Sequence, residues 1–397
     1  SATMGMRDKL SEAVKEFESI LVPGGRIIFL GTMQNEMSLY NTLPQRGYKQ
    51  RIWPALYPSQ KQIKSYGTAL APMVRNTLNE DAIGKPTDPL RFDEEDLAQR
   101  KFSYGSSGFN LQFQLDTALA DADKYPLKLS DLVVMNTNPQ VAPEKVVWAS
   151  SPELKHEELP CVGLHGDAYY RPMQIQGDWL DYQGSVLAID PSGRGSNETA
   201  YSVVKMLNGN LYLTNSGGLV GGYTDKTLQR LADIAKQEEV NLILIEENYG
   251  GGMFTKLLMS FVTRTYPVTI EEIRHTENKE KRIIDTLEPL MQQHRLIVNS
   301  SVVQSDYQTT QELYQSEKAL RYQLFYQMSR IGRDRGSLAE DDRLDVLAMA
   351  CRYWVDQLAK DQETAHIQRR EELLQHELDN FLEHQVFDKV PKNDTWF

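Results

Sequence analysis

Short apolar runs that end in an acidic residue recur in the second half of the chain. Residues 186–189 (Val-Leu-Ala-Ile) precede Asp190, and residues 242–245 (Leu-Ile-Leu-Ile) precede Glu246 and Glu247. An apolar run of four residues next to turn formers predicts a strand that is buried on both faces. The acid that ends each run is therefore expected at the rim of a sheet.

The segments between these two runs predict a defined strand order. Residues 199–207 and 210–214 are expected as two strands joined at Asn208-Gly209, and this pair of residues is the strongest short signal for a hairpin. Apolar residues at helical spacing then predict a helix over residues 224–237. A right-handed crossover places the next strand parallel to the first. This is the topology of an RNase H-like fold, in which Asp190 and Glu246 lie side by side.

A third acidic cluster lies near residue 340, in the sequence Glu-Asp-Asp-Arg-Leu-Asp. Asp342 and Asp345 are three residues apart and Asp341 and Asp345 are four apart, so either pair shares a helix face. Acids in a first turn also suit the helix dipole, which is the alternative interpretation of each residue taken singly. Acids from three elements favour two Mg²⁺ or Mn²⁺ ions held roughly 3.5–4 Å apart, an arrangement suited to phosphodiester hydrolysis.

Two of these motifs carry a resemblance to a known family. The sequence Ile-Glu-x-Asn at residues 245–248, the glycines that follow it, and Asp-Asp-Arg-Leu-Asp-Val-Leu-Ala-Met-Ala at 341–350 resemble the C-terminal nuclease domain of large terminase subunits. The similarity is to the DNA maturase B type of short-tailed double-stranded DNA phages. It implies catalytic roles for Asp190, Glu246 and Asp342, metal binding by these three with Asp341 and Asp345, and an auxiliary role for Glu247.

Two assignments within this set stay open. The family pattern Glu-x-Asn favours Glu246 over Glu247, but the doubled acid allows either residue to face the metal ions. Either Asp341 or Asp342 can be the essential ligand on the helix.

The N-terminal region resembles the ATPase half of the same family. The similarity lies in residues 25–32 (Gly-Arg-Ile-Ile-Phe-Leu-Gly-Thr), 40–43 and 51–58. We expect a helix near residues 7–20, a strand at residues 26–31 and a strand near residues 50–57. The chain has no Gly-x-x-x-x-Gly-Lys-Ser/Thr phosphate loop, and no strand before residue 26 ends in Asp-Glu. We therefore expect a partial P-loop-type ATPase α/β domain, belonging to a longer protein, that does not hydrolyse ATP by itself.

The predicted fold class is α/β, with an RNase H-like mixed five-stranded sheet and flanking helices, preceded in the chain by the partial ATPase domain. Residues 267–270 are expected to supply the fifth strand. A C-terminal helix with a narrow apolar stripe and an aromatic tail is expected to dock on a partner. The predicted domains are 1–150 (ATPase remnant), 151–183 (connector), 184–357 (nuclease) and 358–397 (C-terminal helix and tail).

The charge of the chain restricts how it can contact DNA. The formal net charge is −12, so DNA contacts have to be local. Arg330, Arg333 and Arg335 precede the acidic cluster, and Arg194 follows Asp190, so all four are predicted to bind DNA. The alternative for the first three is a solvated helix end. The basic segment 274–282 is interleaved with glutamates and is interpreted as solvated.

The expected function is metal-dependent endonuclease cleavage of double-stranded phage DNA during genome packaging. The alternatives are a structure-specific junction resolvase of the same fold and a docking module of the packaging motor with residual nuclease activity. The resemblance implies double-stranded DNA, the portal protein, the small terminase subunit and the ATPase domain of the full-length chain as partners. No apolar run approaches the roughly 18 residues of a membrane span. We expect a protein of the host cytoplasm during phage assembly that is absent from the mature virion.

Overall fold

The computed structural model describes residues 4–33, 38–117, 124–164, 166–192, 197–247, 252–361 and 370. The chain divides into two compact units, Ser1–Ala350 and Cys351–Phe397. All described strands lie in the first unit, and the described part of the second unit is helical over residues 351–361. Among the helices described, none has the length and apolar character needed to cross a membrane.

The strands form a large sheet and a separate two-stranded ribbon. The described residues contain nine strands: β1 (Val133–Met135), β2 (Val141–Val147), β3 (Gln174–Asp181), β4 (Gly184–Asp190), β5 (Thr199–Leu207), β6 (Asn210–Leu219), β7 (Leu242–Glu246), β8 (Thr269–Ile273) and β9 (Leu296–Asn299). Seven of them make the sheet, in the order β1-β9-β6-β5-β4-β7-β8, and β2 pairs with β3 in the ribbon.

The helices of the N-terminal region are α1 (Met4–Ser19), α2 (Leu39–Thr42), α3 (Gln60–Tyr66), α4 (Pro72–Thr77) and α5 (Glu94–Phe109). The helices around the sheet are α6 (Asp225–Gln237), α7 (Met253–Thr265), α8 (Lys279–Gln292), α9 (Ser300–Leu313), α10 (Ser316–Tyr322) and α11 (Leu324–Arg330). A further helix, α12, spans residues 342–361.

The predicted strand order is confirmed at the centre of the sheet. β4, β5 and β6 are antiparallel neighbours, and β7 pairs in parallel with β4, with Ile189 opposite Ile245. Asn208 and Gly209 both have positive φ values, 51° and 76°, as the tight turn between β5 and β6 requires. The carboxyl ends of β4 and β7 therefore lie at the same edge of the sheet.

The core on one face of the sheet explains why α6 and α7 form where they do. Leu228, Leu231 and Ala235 of α6 are buried, with exposed fractions of 0–1%, against Ile189 and Ile245 of the sheet. Each fully buried leucine stabilises the fold by about 2 kcal/mol relative to exposure. The packing of α6 fixes the crossover between β6 and β7. It therefore also keeps Asp190 at the end of β4 close to Glu246 at the end of β7.

The prediction of five strands is wrong, because the sheet has seven. β9 is a run of only four residues, Leu-Ile-Val-Asn, and it inserts in parallel beside β6. β1 is shorter still and pairs with β9, although its sequence lies in the region assigned to the ATPase remnant. Runs this short are indistinguishable from pieces of helix or loop until a neighbouring strand pairs with them.

The N-terminal region differs from the predicted α/β pattern. Residues 26–31, expected as a strand, have no strand conformation, and Ile28 and Leu30 are 77% and 85% exposed. The expected strand at residues 50–57 is reduced to isolated bridges at Ile52 and Leu56. A strand needs a partner for its backbone hydrogen bonds, and none of the described residues supplies one here. The predicted helix near residues 7–20 is confirmed as α1.

Candidate active site

Three carboxylates from three separate elements meet at one edge of the sheet. Asp190 ends β4, Glu246 ends β7, and Asp345 lies in the first turns of α12. One carboxylate oxygen of each lies within 4.8 Å of the others. Parallel pairing of β4 and β7 brings the first two together, as the sequence predicted, and α12 supplies the third.

Among the acids of α12, Asp345 and not Asp342 belongs to the three-carboxylate cluster. Asp345 is 2% exposed and belongs to the three-carboxylate cluster, whereas the sequence assigned the main role to Asp342 and an accessory role to Asp345. Asp342 lies beside the cluster, where burial and the nearby Asp190 carboxylate raise its pKa. Asp341 lies one residue further out and its side chain remains 27% exposed.

Two cations from the start of α8 face these acids. Lys279 Nζ lies 2.7 Å from Asp341 Oδ1 and 3.1 Å from Asp345 Oδ2, and Arg282 Nη2 donates to Asp345 Oδ1 at 2.6 Å. The segment 274–282 was interpreted from sequence as solvated, and for these two residues that interpretation is wrong. Three positions separate them in sequence, so they share a helix face. That spacing was the signal available in the sequence.

The electrostatics of the cluster follow from burial and from crowding of like charges. Burial and the nearby Asp345 carboxylate raise the pKa of Glu246. Burial and the Asp190 carboxylate raise the pKa of Asp342 to about 7. Burial opposes the charged form of Lys279, but the surrounding aspartates outweigh it and raise the pKa of its ammonium group. An added cation would stabilise the ionised form of these carboxylates.

The donor set fits a hard divalent cation. All three clustered side chains offer carboxylate oxygens, which Mg²⁺ and Mn²⁺ prefer. Asp345 Oδ2 is buried and accepts no hydrogen bond from the described residues, although Lys279 Nζ lies 3.1 Å away. A buried carboxylate oxygen without a donor is a position that a metal ion would satisfy.

Glu246 and Glu247 face different surroundings, as alternation along a strand requires. Glu246 is half-buried in the cluster, whereas Glu247 is exposed and its backbone N–H donates to the carbonyl of Ile273. Both border a cavity beside the cluster that Pro191, Tyr223, Gly252 and Glu272 also line. The geometry therefore brings Glu246, and not Glu247, together with Asp190.

A second group of charges lies on the other side of α12 and was missed by sequence analysis. Arg343 is fully buried, and its guanidinium donates through Nε to Glu198 Oε1 at 2.5 Å and through Nη2 to Glu198 Oε2 at 2.8 Å. Its Nη1 donates to Asp306 Oδ1 at 2.8 Å. Tyr314 also donates its hydroxyl to Glu198. This network ties α12 to the start of β5 and to α9.

The arginines predicted to bind DNA have varied surroundings. Arg330 is buried, with 7% exposure, and donates to the carbonyls of Val162 and Gly163, so its guanidinium does not reach a surface. Arg333 is exposed and pairs with Asp285 and Glu288. Arg335 is exposed at the end of the same loop. Arg194 and the C-terminal tail lie outside the described residues.

The fold and the carboxylate cluster together define an RNase H-like domain with its acids at the carboxyl ends of two parallel strands. The family model described as "Terminase Bacteriophage T7, Ribonuclease H-like domain" matches residues 189–296. This range begins one residue before Asp190 and includes Glu246, Lys279 and Arg282.

The chain is similar over nearly its whole length to a large terminase subunit. It is 43% identical over 393 residues to the "Terminase, large subunit" of Enterobacteria phage T3, an alignment that covers 97% of this chain. The chain spans 66% of that relative's length, just under two thirds.

Two solved nuclease domains are similar at a lower level. The large terminase nuclease from thermophilic phage G20c is 10% identical, with a TM-score of 0.32 over 57% of this chain and 97% of that one. The Mn-soaked, inhibitor-bound human cytomegalovirus terminase nuclease domain is 12% identical, with a TM-score of 0.32 over 43% of this chain and 83% of that one. Similarity at this level adds nothing to the assignment, which rests on the family model and the phage T3 relative.

Proposed function

We propose that this chain is a metal-dependent endonuclease that cuts double-stranded DNA during phage genome packaging. The observation that carries the proposal is the meeting of Asp190, Glu246 and Asp345, whose carboxylate oxygens lie within 4.8 Å of one another. Similarity to the large terminase subunit of phage T3 supports DNA as the substrate.

The residues of the cluster have distinct proposed roles. Asp190, Glu246 and Asp345 would hold Mg²⁺ or Mn²⁺, with Asp342 as the adjacent ligand for a second ion and Asp341 and Glu247 at the periphery. When bound, the two ions would stabilise the attacking and leaving oxygens of the phosphodiester and lower the pKa of a bound water.

The cations of α8 complete the electrostatic arrangement. Lys279 lies against Asp341 and Asp345, and Arg282 holds the other oxygen of Asp345 at 2.6 Å. Arg282 is 5% exposed, so it fixes the Asp345 carboxylate in one orientation. Lys279 is less buried, and its ammonium offsets part of the repulsion among the carboxylates until metal ions do so.

A plasmid assay tests this proposal directly. The purified chain should nick or linearise plasmid DNA with Mg²⁺ or Mn²⁺ and without any nucleotide, and EDTA should abolish this. Asp190→Asn should slow cleavage at least ~100-fold, because a metal ligand contributes several kcal/mol of transition-state stabilisation.

The matched control for this variant is Asp233→Asn on the exposed face of α6, away from the cluster. Wild-type cleavage by Asp190→Asn would overturn the site assignment. Strong preference for a four-way junction over linear duplex would instead favour the resolvase alternative.

The wider organisation and partners belong to the same proposal. The proposed organisation is residues 1–150 as part of an ATPase domain, 151–183 as connector, 184–357 as the nuclease and 358–397 as a C-terminal helix and tail. β1 at residues 133–135 nevertheless pairs with β9, so the large sheet also takes a strand from the first of these ranges. The portal protein and the small terminase subunit would be the partners, and the host cytoplasm the location. Limited proteolysis tests the boundaries, and proteomics of purified virions tests the expected absence from mature particles.

A further inference from the structure

Helix α7 differs from its surroundings in charge. Its sequence, Met-Phe-Thr-Lys-Leu-Leu-Met-Ser-Phe-Val-Thr-Arg-Thr, contains Lys256 and Arg264 and no acidic residue, in a chain whose net charge is −12. Four of its thirteen residues carry hydroxyl groups. Lysine, arginine, serine and threonine are the side chains that contact phosphate in protein–DNA complexes.

The polar residues of α7 line the side of the helix that faces away from the core. Phe254, Leu258 and Val262 recur every four residues and are 0–5% exposed, so they define the buried face. The opposite side carries a line of exposed polar residues, which we call the outer line: Lys256, Ser260, Thr263 and Arg264. The helical repeat of 3.6 residues places these four on one side of the helix, where the exposed apolar side chains of Met253, Leu257 and Met259 adjoin them.

This surface leads to the carboxylate cluster. The first residues of α7 line the same cavity as Glu246, since Gly252, Met253 and Thr255 border it together with that acid. Lys256 follows directly, and Arg264 lies about 12 Å further along the helix at a rise of 1.5 Å per residue. The outer line is therefore long enough to contact two or three phosphates of one strand that enters the site.

The two cations of the outer line are available to a ligand. Within the described part of the chain, neither Lys256 nor Arg264 forms an ion pair with an acid, and Arg264 stacks over the Phe261 ring at 5.1 Å. In contrast, Arg330 is buried and Arg333 is paired with two acids. Cations without acidic partners make the largest contribution to phosphate binding, because no ion pair has to be broken.

We propose that the outer line of α7 binds the sugar–phosphate backbone of DNA and guides it to the carboxylate cluster. This inference rests on the proposed function and adds to it the surface through which a strongly acidic chain holds its substrate. The two cations of the outer line complement the charge of phosphate, and α7 begins at the cavity that Glu246 also lines, which together favour DNA over a protein partner.

The test measures binding of a 30-bp duplex by fluorescence anisotropy in EDTA, which prevents cleavage. The double variant Lys256→Gln/Arg264→Gln should bind at least ~10-fold more weakly at 50 mM salt, and the salt slope of log K should fall by about 2. In the cleavage assay with Mn²⁺, its KM should rise while its kcat stays within about 2-fold of wild type.

The matched control is Lys226→Gln/Lys236→Gln on α6, whose lysines are also exposed. It should leave the affinity and the salt slope unchanged. Thermal unfolding and Mn²⁺ titration of both variants establish that fold and metal site are intact.

Three results would overturn parts of the proposal in distinguishable ways. If the wild type neither binds nor cuts DNA, the proposed function fails. If the wild type cuts DNA but the α7 variant has unchanged affinity and salt slope, the DNA backbone does not contact the outer line. If the α7 variant keeps its DNA affinity but loses binding to a packaging protein, the surface is a protein-docking site.

Discussion

The two groups of charged residues around the start of α12 differ in how their carboxylates are compensated. In the network of Glu198, Asp306 and Arg343, the side chains are 0–3% exposed and the guanidinium donates to both acids. In the cluster of Asp190, Glu246 and Asp345, the last of these pairs with Arg282 and Lys279, yet its buried Oδ2 accepts no hydrogen bond from the described residues.

This difference separates a structural network from a functional site. Buried acids that are fully satisfied by arginine hold elements in place and have no capacity for another cation. In the cluster, burial together with the neighbouring carboxylates raises the pKa values of Glu246 and Asp342, and a metal ion would relieve the repulsion among these acids. Residues 342 and 343 are adjacent in sequence but point into these opposite environments.

The largest expected effect comes from breaking the buried network of Glu198, Asp306 and Arg343. Arg343→Met should lower the free energy of unfolding by about 3–5 kcal/mol, because two buried carboxylates lose their counter-charge. Urea unfolding in EDTA measures it. Adding Glu198→Gln and Asp306→Asn should restore part of the loss. A cost below about 1 kcal/mol for the single variant would show that the network does not hold α12.

Next in size is the loss of cleavage when one acid of the cluster of Asp190, Glu246 and Asp345 is neutralised. Glu246→Gln should slow plasmid nicking at least ~100-fold, a loss of about 3 kcal/mol of transition-state stabilisation. Glu247→Gln, exposed and one residue away, is the matched control and should change the rate by less than about 5-fold. The opposite ranking would assign the metal-facing position to Glu247.

The pH dependence of stability gives an intermediate effect. The pKa of Asp342 is raised to about 7 from an ordinary value of 3.8, so the metal-free folded state binds the proton more tightly than the unfolded state. Its stabilising contribution is complete below about pH 4 and is lost as the pH rises through 7. Asp342→Asn should remove a difference on the order of 1–3 kcal/mol between pH 5 and pH 8.

Urea unfolding at both pH values in EDTA measures this difference, and Asp361→Asn, exposed in α12, is the control. An unchanged pH profile in Asp342→Asn would mean that Asp342 ionises normally in the folded protein.

The smallest effect is expected at Lys279. Its ammonium competes with cations for Asp341 and Asp345, so Lys279→Gln should tighten Mn²⁺ binding by about 5-fold, or ~1 kcal/mol. Calorimetric titration measures the affinity, with exposed Lys281→Gln in the same turn as control. Weaker binding by Lys279→Gln would show instead that the lysine orders the carboxylates for the metal.

Local sequence patterns predicted the central strands of the sheet and two of the clustered acids, Asp190 and Glu246. The apolar runs before Asp190 and Glu246 and the Asn208-Gly209 turn are local signals, and right-handed crossover fixes the relation between β4 and β7. The same reasoning missed β1 and β9, because three or four residues carry too little periodicity.

The sequence by itself determined which strands end in acids, that these ends share an edge, and that α12 opens with a run of carboxylates. Only the tertiary structure decided that Asp345 joins Asp190 and Glu246, that Lys279 and Arg282 face them, and that Arg330 and Arg343 are buried. The physical reason is that periodicity assigns a residue to a face of its own element. What lies opposite that face depends on how distant elements pack, and packing also determines which charges are compensated and which stay open to a metal ion or DNA.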